Sequence, residues 1–161
     1  MNALKSLLFL IVAAGLGAGY IPFALLLKSP RIETGIFAYL AIPLWLIGGM
    51  MILWCFWDFT FKGRGTPNPI DAPKELVITG LYRHVRNPIY LGVLTIVIGY
   101  FFWFKSIWML AYAAIVFLVC HLFVIFYEEP SLKKKFGATY VNYYNSVPRW
   151  IPKIRNRTTK N

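Results

Sequence analysis

Four long stretches of the sequence contain no Asp, Glu, Lys or Arg, and they constrain the fold more than any other feature. They cover residues 6–27, 36–57, 89–104 and 107–127. A helix needs about 20 residues to cross a hydrocarbon core of about 30 Å, since each residue adds ~1.5 Å. The sequence therefore predicts an all-α integral membrane bundle of about four transmembrane helices. The third stretch is short for a span and needs a thinner bilayer or shielding by its neighbours.

The order of these stretches predicts a single membrane domain over residues 1–161. Two N-terminal spans occupy residues 1–60, although the first could also be read as a signal peptide. Its length favours a retained helix. Residues 61–152 contain a polar segment, a helical hairpin of spans three and four, and an interfacial helix over residues 129–145. We expect the chain to fray from Trp150, with a basic tail over residues 153–161.

The net charge of +11 would suit a nucleic-acid partner, but its distribution along the chain indicates a membrane instead. Fourteen of the seventeen Lys and Arg residues lie in the N-terminus, in residues 62–87 and in the C-terminal part of the chain. That bias is typical of the positive-inside rule. We therefore expect a bacterial inner-membrane protein with both termini and the site on the cytoplasmic side. Its basic residues would contact membrane lipids and no nucleic acid.

Polar side chains near the end of the fourth span are candidate functional residues. His121 and Glu128 are seven residues apart, so two helical turns place them on one face. An ionisable group at membrane depth is costly unless it faces a bundle interior or a wet cavity. For His121 a structural role is equally consistent with the sequence. Neither these residues nor Cys55 and Cys120, which lie in apolar stretches, show metal-ligand spacing.

A second candidate region precedes the third span, where residues 80–92 bring Arg, His, Asn and Tyr side chains together. Pro88 suits the first turn of a helix, where its missing N–H is not needed. The free N–H groups of that turn can receive an anion. A belt of Arg and Tyr that only anchors the helix in the interface fits the pattern as well.

Two groups of residues in this half of the chain form a recognisable pattern. The first group comprises residues 63–69, 74–77, 80–83 and 86–92, and the second comprises residues 128–132, 136–137, Tyr140, Tyr143 and 147–149. Together they resemble the isoprenylcysteine carboxyl methyltransferase family, which includes bacterial members and is related to the phospholipid methyltransferases. The resemblance covers about residues 60–152, with both groups in the expected order. The first two spans carry no diagnostic motif.

The resemblance implies a helical membrane enzyme that binds S-adenosylmethionine in a cytoplasm-facing pocket capped by the C-terminal segment. A lipophilic or small-molecule methyl acceptor would enter from the bilayer. The family's cofactor contacts correspond to Leu76, Val77, Tyr82, Asn87, Pro88, Ile89, Tyr90 and Glu128 or Glu129. Two positions depart from the pattern. Asn87 replaces a histidine that is common in eukaryotic members, and no arginine shortly precedes the acidic pair, where His121 is the nearest polar group.

The residue types suit the charges of that cofactor. Arg83 or Arg86 could hold its carboxylate, and one of the two glutamates its ammonium, by charge-assisted hydrogen bonds. Tyr82 or Tyr90 could face the sulfonium in a cation–π contact of ~0.5–2 kcal/mol. His121 is the nearby group whose intrinsic pKa suits a general base.

These assignments predict catalytic roles for Arg83, Glu128 and His121. Two other classes of protein remain open from the sequence. One is a membrane reductase of the sterol-reductase type, which would use NADPH. The other is a non-catalytic membrane protein that binds lipid or a partner. Cofactor binding distinguishes the three possibilities.

Overall fold

The computed structural model describes residues 19–27, 35–63 and 75–153. In these ranges every regular element is helical, which confirms the predicted all-α fold. The helices are α1 (Ile21–Leu27), α2 (Ala41–Phe61), α3 (Pro88–Phe104), α4 (Ile107–Phe123) and α5 (Glu129–Ser146). Short 3-10 helices cover Ile36–Leu40 and Gly80–Arg83, and a π-helical turn covers Val124–Glu128.

Two continuous helices are long and apolar enough to cross a membrane, Ile36–Phe61 and Ile107–Ser146. Only 22% and 11% of their most apolar windows are buried, whereas the core helix of a soluble protein would be mostly buried. The shorter apolar helix Pro88–Phe104 corresponds to the predicted third span. Spans two to four therefore lie where the sequence predicts them. Most of the first predicted span lies outside the described residues, which include only its end.

Helices α2 and α3 pack closely because glycines face each other at their contact. A Cβ atom added to Gly48 would lie 2.6 Å from the carbonyl oxygen of Gly92, and one added to Gly92 would lie 3.0 Å from the carbonyl oxygen of Gly48. Small residues let two helix backbones approach in this way. Helix association in a bilayer depends on such van der Waals contact, because lipid is as apolar as the side chains and the hydrophobic effect contributes little. This contact holds the second and third spans side by side.

The predicted hairpin of spans three and four is confirmed. Helix α3 ends at Phe104, and Lys105 adopts a left-handed conformation with φ 47°. One further residue, Ser106, leads into α4 at Ile107. The two-residue turn reverses the chain, so α4 returns antiparallel to α3 and carries its last turn to the level where α3 begins.

Helix α4 continues into α5 without a break, through the π-helical turn of Val124–Glu128. Pro130 lies near the start of α5 and has no N–H to donate to the turn before it, in agreement with the irregular helical geometry there. The predicted interfacial helix is thus a continuation of the fourth span, interrupted by non-helical geometry at Gly137 (φ 53°, ψ −130°). A π turn widens the helix locally and changes the directions of the side chains that follow it.

Residues 147–153, here called the C-terminal strap, fold back over the start of α3. The backbone N–H of Lys153 donates to the carbonyl oxygen of His84 at 3.0 Å. The imidazole of His84 lies 3.2 Å from the carbonyl oxygen of Lys153 through Nδ1. The expectation that the chain frays from Trp150 is therefore wrong as far as Lys153, because these contacts with a distant segment hold it.

Gly80 allows the polar segment to approach the end of α2. It adopts φ +57°, and a Cβ at this position would overlap a carboxylate oxygen of Asp58. Asp58 is buried, and it accepts a hydrogen bond from Lys62 at 2.6 Å. The positive φ and the close carboxylate both favour glycine here. The 3-10 helix that begins at Gly80 is thereby fixed against the second span.

Candidate active site

Glu129 is the centre of a buried ion-pair cluster. Its Oε1 accepts a hydrogen bond from Nη1 of Arg86 at 2.8 Å. Arg149, on the strap, donates to both carboxylate oxygens, from Nε at 2.8 Å and from Nη2 at 2.9 Å. The side chains of Glu129 and Arg86 are only 7% and 8% exposed. Two guanidinium groups and one carboxylate leave the cluster with one net positive charge.

Glu128, directly before Glu129, has very different surroundings. Its Oε2 accepts a hydrogen bond from the hydroxyl of Tyr90 at 2.9 Å, and no cation of the described chain pairs with it. Burial raises the pKa of this carboxyl group, the Tyr90 hydrogen bond lowers the pKa, and the charge of Glu129 raises it. Glu128 lies just beyond the apolar part of the fourth span. It is therefore a half-buried acid whose ionised form lacks a counter-charge.

Arg86 keeps donor capacity that its neighbours do not use. Among the residues that the structure describes, its buried Nε has no hydrogen-bond partner, while Nη1 is committed to Glu129. Its guanidinium carbon lies 4.1 Å from the ring centre of Tyr144, and the ammonium of Lys133 lies 4.2 Å from the same ring. These cation–π contacts fix the guanidinium plane. A buried donor without a partner is costly, so this group is suited to an anionic ligand.

The strap is tied to the segment before α3 by further hydrogen bonds. The backbone N–H of Arg86 donates to the carbonyl oxygen of Pro148 at 2.9 Å. The Nδ2 group of Asn87 donates to the carbonyl oxygen of Arg149 at 3.1 Å. Asn87 thus acts as a buried support for the strap. Together with the ion pairs, these bonds close one wall of the candidate site.

Tyrosines of α5 complete the support beneath this wall. The hydroxyl of Tyr143 donates to the backbone carbonyl of Tyr82 at 2.8 Å. Burial, above all, raises the pKa of Tyr143, and burial together with the charge of Glu129 raises the pKa of Tyr140 to about 12. Both hydroxyls therefore stay protonated at neutral pH. Tyr143 can act as a permanent hydrogen-bond donor.

Several predicted cofactor contacts lie in an apolar cluster against α2. Val77 and Tyr82 are buried with Cys55, and Ile89 and Phe59 pack around them. The rings of Tyr82 and Phe59 meet edge to face at 5.4 Å. Burial raises the pKa of the Tyr82 hydroxyl, which therefore stays neutral. The structure brings Val77, Tyr82 and Ile89 together, with the ring of Tyr82 turned toward the second span.

An aromatic row leads from Glu128 into the membrane. Tyr90, which donates to Glu128, lies 6.4 Å from Trp150 between ring centres. The indole N–H of Trp150 donates to Nδ1 of His121 at 2.9 Å. The imidazole stacks on Phe117 at 5.7 Å. His121 and Glu128 are thus connected through two aromatic side chains from other segments.

The remaining predicted residues divide between the site and its surroundings. Pro88 is fully buried at the start of α3, in the helical position that the sequence predicts. Leu76 is half-buried on the loop before Gly80. Arg83 is exposed, and no ion pair or hydrogen bond connects its side chain with the Glu129 cluster in the described chain. Among the predicted arginines, the structure therefore brings only Arg86 to the acidic pair.

Sequence reasoning missed the contributions of Arg149 and Trp150. Arg149 is the last residue of the family-like 147–149 group and Trp150 begins the segment expected to fray, and their partners are 20 and 29 residues away. The signal that could have indicated them is local. A tryptophan directly after the arginine of the family-like 147–149 pattern is unusual for a tail that remains in solvent.

Comparison with known proteins agrees with this architecture. The sequence profile of the phospholipid methyltransferase family matches residues 36–139, which is nearly two thirds of the chain. The match includes α2 to α4, both glutamates and the segment before α3, and it ends before the strap. Searches of curated proteins and of solved structures gave no significant match. Because the profile covers well over half of the sequence, this chain belongs to the phospholipid methyltransferase family and is a membrane methyltransferase.

Proposed function

We propose that this membrane methyltransferase uses S-adenosylmethionine and transfers its methyl group to a lipophilic or small acceptor that enters from the bilayer. The observation that carries the proposal is the contrast between two adjacent acids. Glu129 pairs with two arginines, whereas the partner of Glu128 in the described chain is a tyrosine hydroxyl. A carboxylate without a counter-charge beside a cluster of net positive charge suits a ligand that carries both an ammonium and a carboxylate.

The free polar groups of the site fit the amino-acid end of that cofactor. Glu128 would accept the ammonium, and the buried Nε of Arg86 would donate to the carboxylate. Charge-assisted hydrogen bonds of this kind contribute ~1.5–3 kcal/mol each. The exposed position of Arg83 favours Arg86 for the carboxylate. A catalytic role for Arg83 remains a prediction without structural support.

The aromatic row next to Glu128 fits the cationic sulfur. The ring faces of Tyr90 and Trp150 could meet the sulfonium, for ~0.5–2 kcal/mol of cation–π stabilisation. When bound, S-adenosylmethionine supplies a methyl group whose carbon bonds to a lone pair of the acceptor while its bond to sulfur breaks, which leaves a neutral thioether. The strap would exclude water from this place and the surrounding residues would orient the reactants. Positioning and water exclusion supply most of the acceleration in such a displacement.

The other predicted contacts are proposed with different roles. Val77 and Ile89 would form an apolar wall for the rest of the cofactor, and Leu76 would lie at its edge. Tyr82 would support that wall, since its ring packs on α2. Asn87 and Pro88 would shape the site through the backbone of the strap and the first turn of α3.

We infer the orientation in the membrane from the positive charges. The basic segment before α3 and the lysines of α5 would lie on the cytoplasmic side, together with the site and both termini. The partners are then the methyl acceptor and the surrounding membrane lipids. Nucleic acid is not needed to explain the charge.

Calorimetry on the detergent-purified protein tests the cofactor. S-Adenosylmethionine and S-adenosylhomocysteine should bind saturably, and NADPH should not. Glu128→Gln should weaken the binding of the two adenosyl compounds by at least tenfold, because their ammonium group loses its charged partner. Glu75→Gln, the matched change at an exposed glutamate, should bind as the unmodified protein does.

Each result assigns the protein to one of the three classes. Binding of the adenosyl compounds would justify a screen of lipid amines, prenylcysteines and small acceptors with a labelled methyl group. NADPH binding instead would indicate a reductase. No binding to folded protein would leave a family fold that binds lipid or a partner. Full binding by Glu128→Gln would remove this acid from the site.

A further inference from the structure

His121 is an imidazole at membrane depth whose two nitrogens have different partners. Nδ1 accepts the hydrogen bond of the Trp150 indole at 2.9 Å, so this nitrogen carries no proton. A neutral imidazole carries one proton, which must then lie on Nε2. Nε2 has no hydrogen-bond partner among the residues that the structure describes. The ring is half-buried and lies beside Phe117 and Trp150.

An N–H group in this position requires a partner. A polar group without a hydrogen bond in an apolar environment costs several kcal/mol. Phe117, which stacks on the imidazole, is 40% exposed on the lipid-facing surface of α4. A molecule that enters between this surface of α4 and the aromatic row would therefore contact the N–H of His121. The ligand must offer an oxygen or nitrogen lone pair.

Distance along the helix separates this partner from the amino-acid end of the cofactor. His121 lies seven residues before Glu128, or roughly 10 Å along the helix axis. Four bonds of about 1.5 Å connect the ammonium of the cofactor with its sulfur, a reach of only ~5 Å. With the ammonium on Glu128, a ligand group at His121 would therefore lie farther from Glu128 than the sulfur can reach, where a methyl acceptor has room to bind.

The geometry points to His121 as a residue that positions the acceptor by donating a hydrogen bond from Nε2 to an ester or amide carbonyl oxygen of a lipid acceptor. This inference rests on the proposed function. A neutral oxygen fits the depth better than a charged one, which would be costly there. With an amine acceptor the bond cannot go to the nucleophile itself, because a nitrogen has one lone pair and that pair must attack the methyl carbon. Trp150 fixes the tautomer that makes the donation possible.

This role differs from the general base that the sequence suggests for His121. A base needs a free lone pair, and the only one on the neutral ring is occupied by Trp150. Trp150 would have to leave before the imidazole could accept a proton. While Trp150 is bound to Nδ1, His121 acts as a hydrogen-bond donor through Nε2.

Nitrogen NMR on protein labelled with ¹⁵N-histidine tests the inference without requiring turnover. The chain has only two histidines, so the resonances that disappear in His121→Asn belong to His121. We expect a protonated Nε2 and an unprotonated Nδ1. Trp150→Phe keeps a ring but removes the indole donor, and it should produce a detectable fraction of the other tautomer. A proton on Nδ1 in the unmodified protein would overturn the inference.

The ligand is tested with two probe lipids in a detergent that lacks carbonyl groups. Diacyl phosphatidylethanolamine contains ester carbonyls, and its dialkyl analogue has the same head group and chains joined by ethers. The Nε2 resonance should shift with the diacyl lipid and stay unchanged with the dialkyl lipid. No shift with either lipid, or equal shifts with both, would refute carbonyl recognition.

Binding of the same lipids separates the possible roles of the ring. The unmodified protein should bind the diacyl lipid about fivefold more tightly than the dialkyl lipid, the effect of one neutral hydrogen bond. His121→Gln can place an amide N–H near the position of Nε2 and should keep part of that preference, whereas His121→Asn should lose it. Persistence of the preference in His121→Asn would exclude the donor role. Cofactor binding to the unmodified protein, measured separately by calorimetry, tests the proposed function alone, so failure of the proposed cofactor and failure of this inference give different results.

Discussion

Replacing Glu129 with glutamine should loosen the strap without affecting the rest of the bundle. The substitution preserves size but removes the charge that holds Arg86 and Arg149. Loss of one partner of a buried ion pair costs ~3–5 kcal/mol, because the other charge stays buried and uncompensated. Arg149 is 24% exposed and can turn toward water, whereas Arg86 is 8% exposed and cannot. We therefore expect the lower end of that range, about 3 kcal/mol.

Hydrogen exchange measures this loss at defined amides. Two amides connect the strap with the segment before α3. Arg86 donates to Pro148 at 2.9 Å, and Lys153 donates to His84 at 3.0 Å. Since each 1.4 kcal/mol is a factor of ten, about 3 kcal/mol should accelerate their exchange roughly 100-fold. Amides in the middle of α3 should exchange at an unchanged rate, because the opening is local.

The adjacent acid supplies the control for this experiment. Glu128→Gln is the same chemical change one residue earlier, and in the described chain Glu128 bonds only to Tyr90. It should leave strap exchange within about threefold of the unmodified protein, in line with the small effect of a change that breaks no ion pair. Equal strap exchange in the Glu129→Gln and unmodified proteins would refute the conclusion that the ion pairs hold the strap. Equal acceleration in both variants would refute the separation of roles between the two acids.

Two further substitutions test the supports of the site. Gly80→Ala should lower the free energy of unfolding by ~1–3 kcal/mol, because φ is positive and a carboxylate occupies the place of the methyl group. Thermal unfolding in detergent should show no such loss for Gly49→Ala, where nothing lies within 4 Å. Tyr90→Phe removes a hydrogen bond that lowers the pKa of Glu128, so that pKa should rise. Cofactor binding needs the ionised carboxylate, so binding is lost as the pH falls through the pKa of Glu128. In Tyr90→Phe the acid limb of the calorimetric binding curve should therefore move to higher pH. An unchanged acid limb would contradict the role of this hydrogen bond.

Much of the membrane architecture could be predicted from local sequence. The stretch 89–104 predicts a span, and helix α3 covers Pro88–Phe104. The two polar residues after it predict a tight turn, and Lys105 forms one with a left-handed backbone. These features follow from apolar length and from the properties of single residues, so they need no knowledge of the tertiary contacts.

The division of roles between the acids could not be predicted in this way. Glu128 and Glu129 are identical residues next to each other, and their directions depend on the π-helical turn that ends at Glu128. The charge of Glu129 is paired with Arg149, which lies 20 residues away. Local patterns contain no information on such a pairing. The same holds for Trp150 and its hydrogen bond to the fourth span.

Arg149 and Trp150 connect two parts of the site that lie at different depths. Arg149 binds Glu129 at the end where we place the cofactor's amino acid, and Trp150 binds His121 in the region where we place the acceptor. Both side chains belong to one short strap, so its opening should release both contacts together. The Glu129→Gln protein should therefore show, besides faster exchange, a fraction of His121 with its proton on Nδ1. A strap that opens at Arg149 while His121 keeps a single tautomer would mean that Trp150 is held by the membrane helices alone, and the two ends of the site would then be independent.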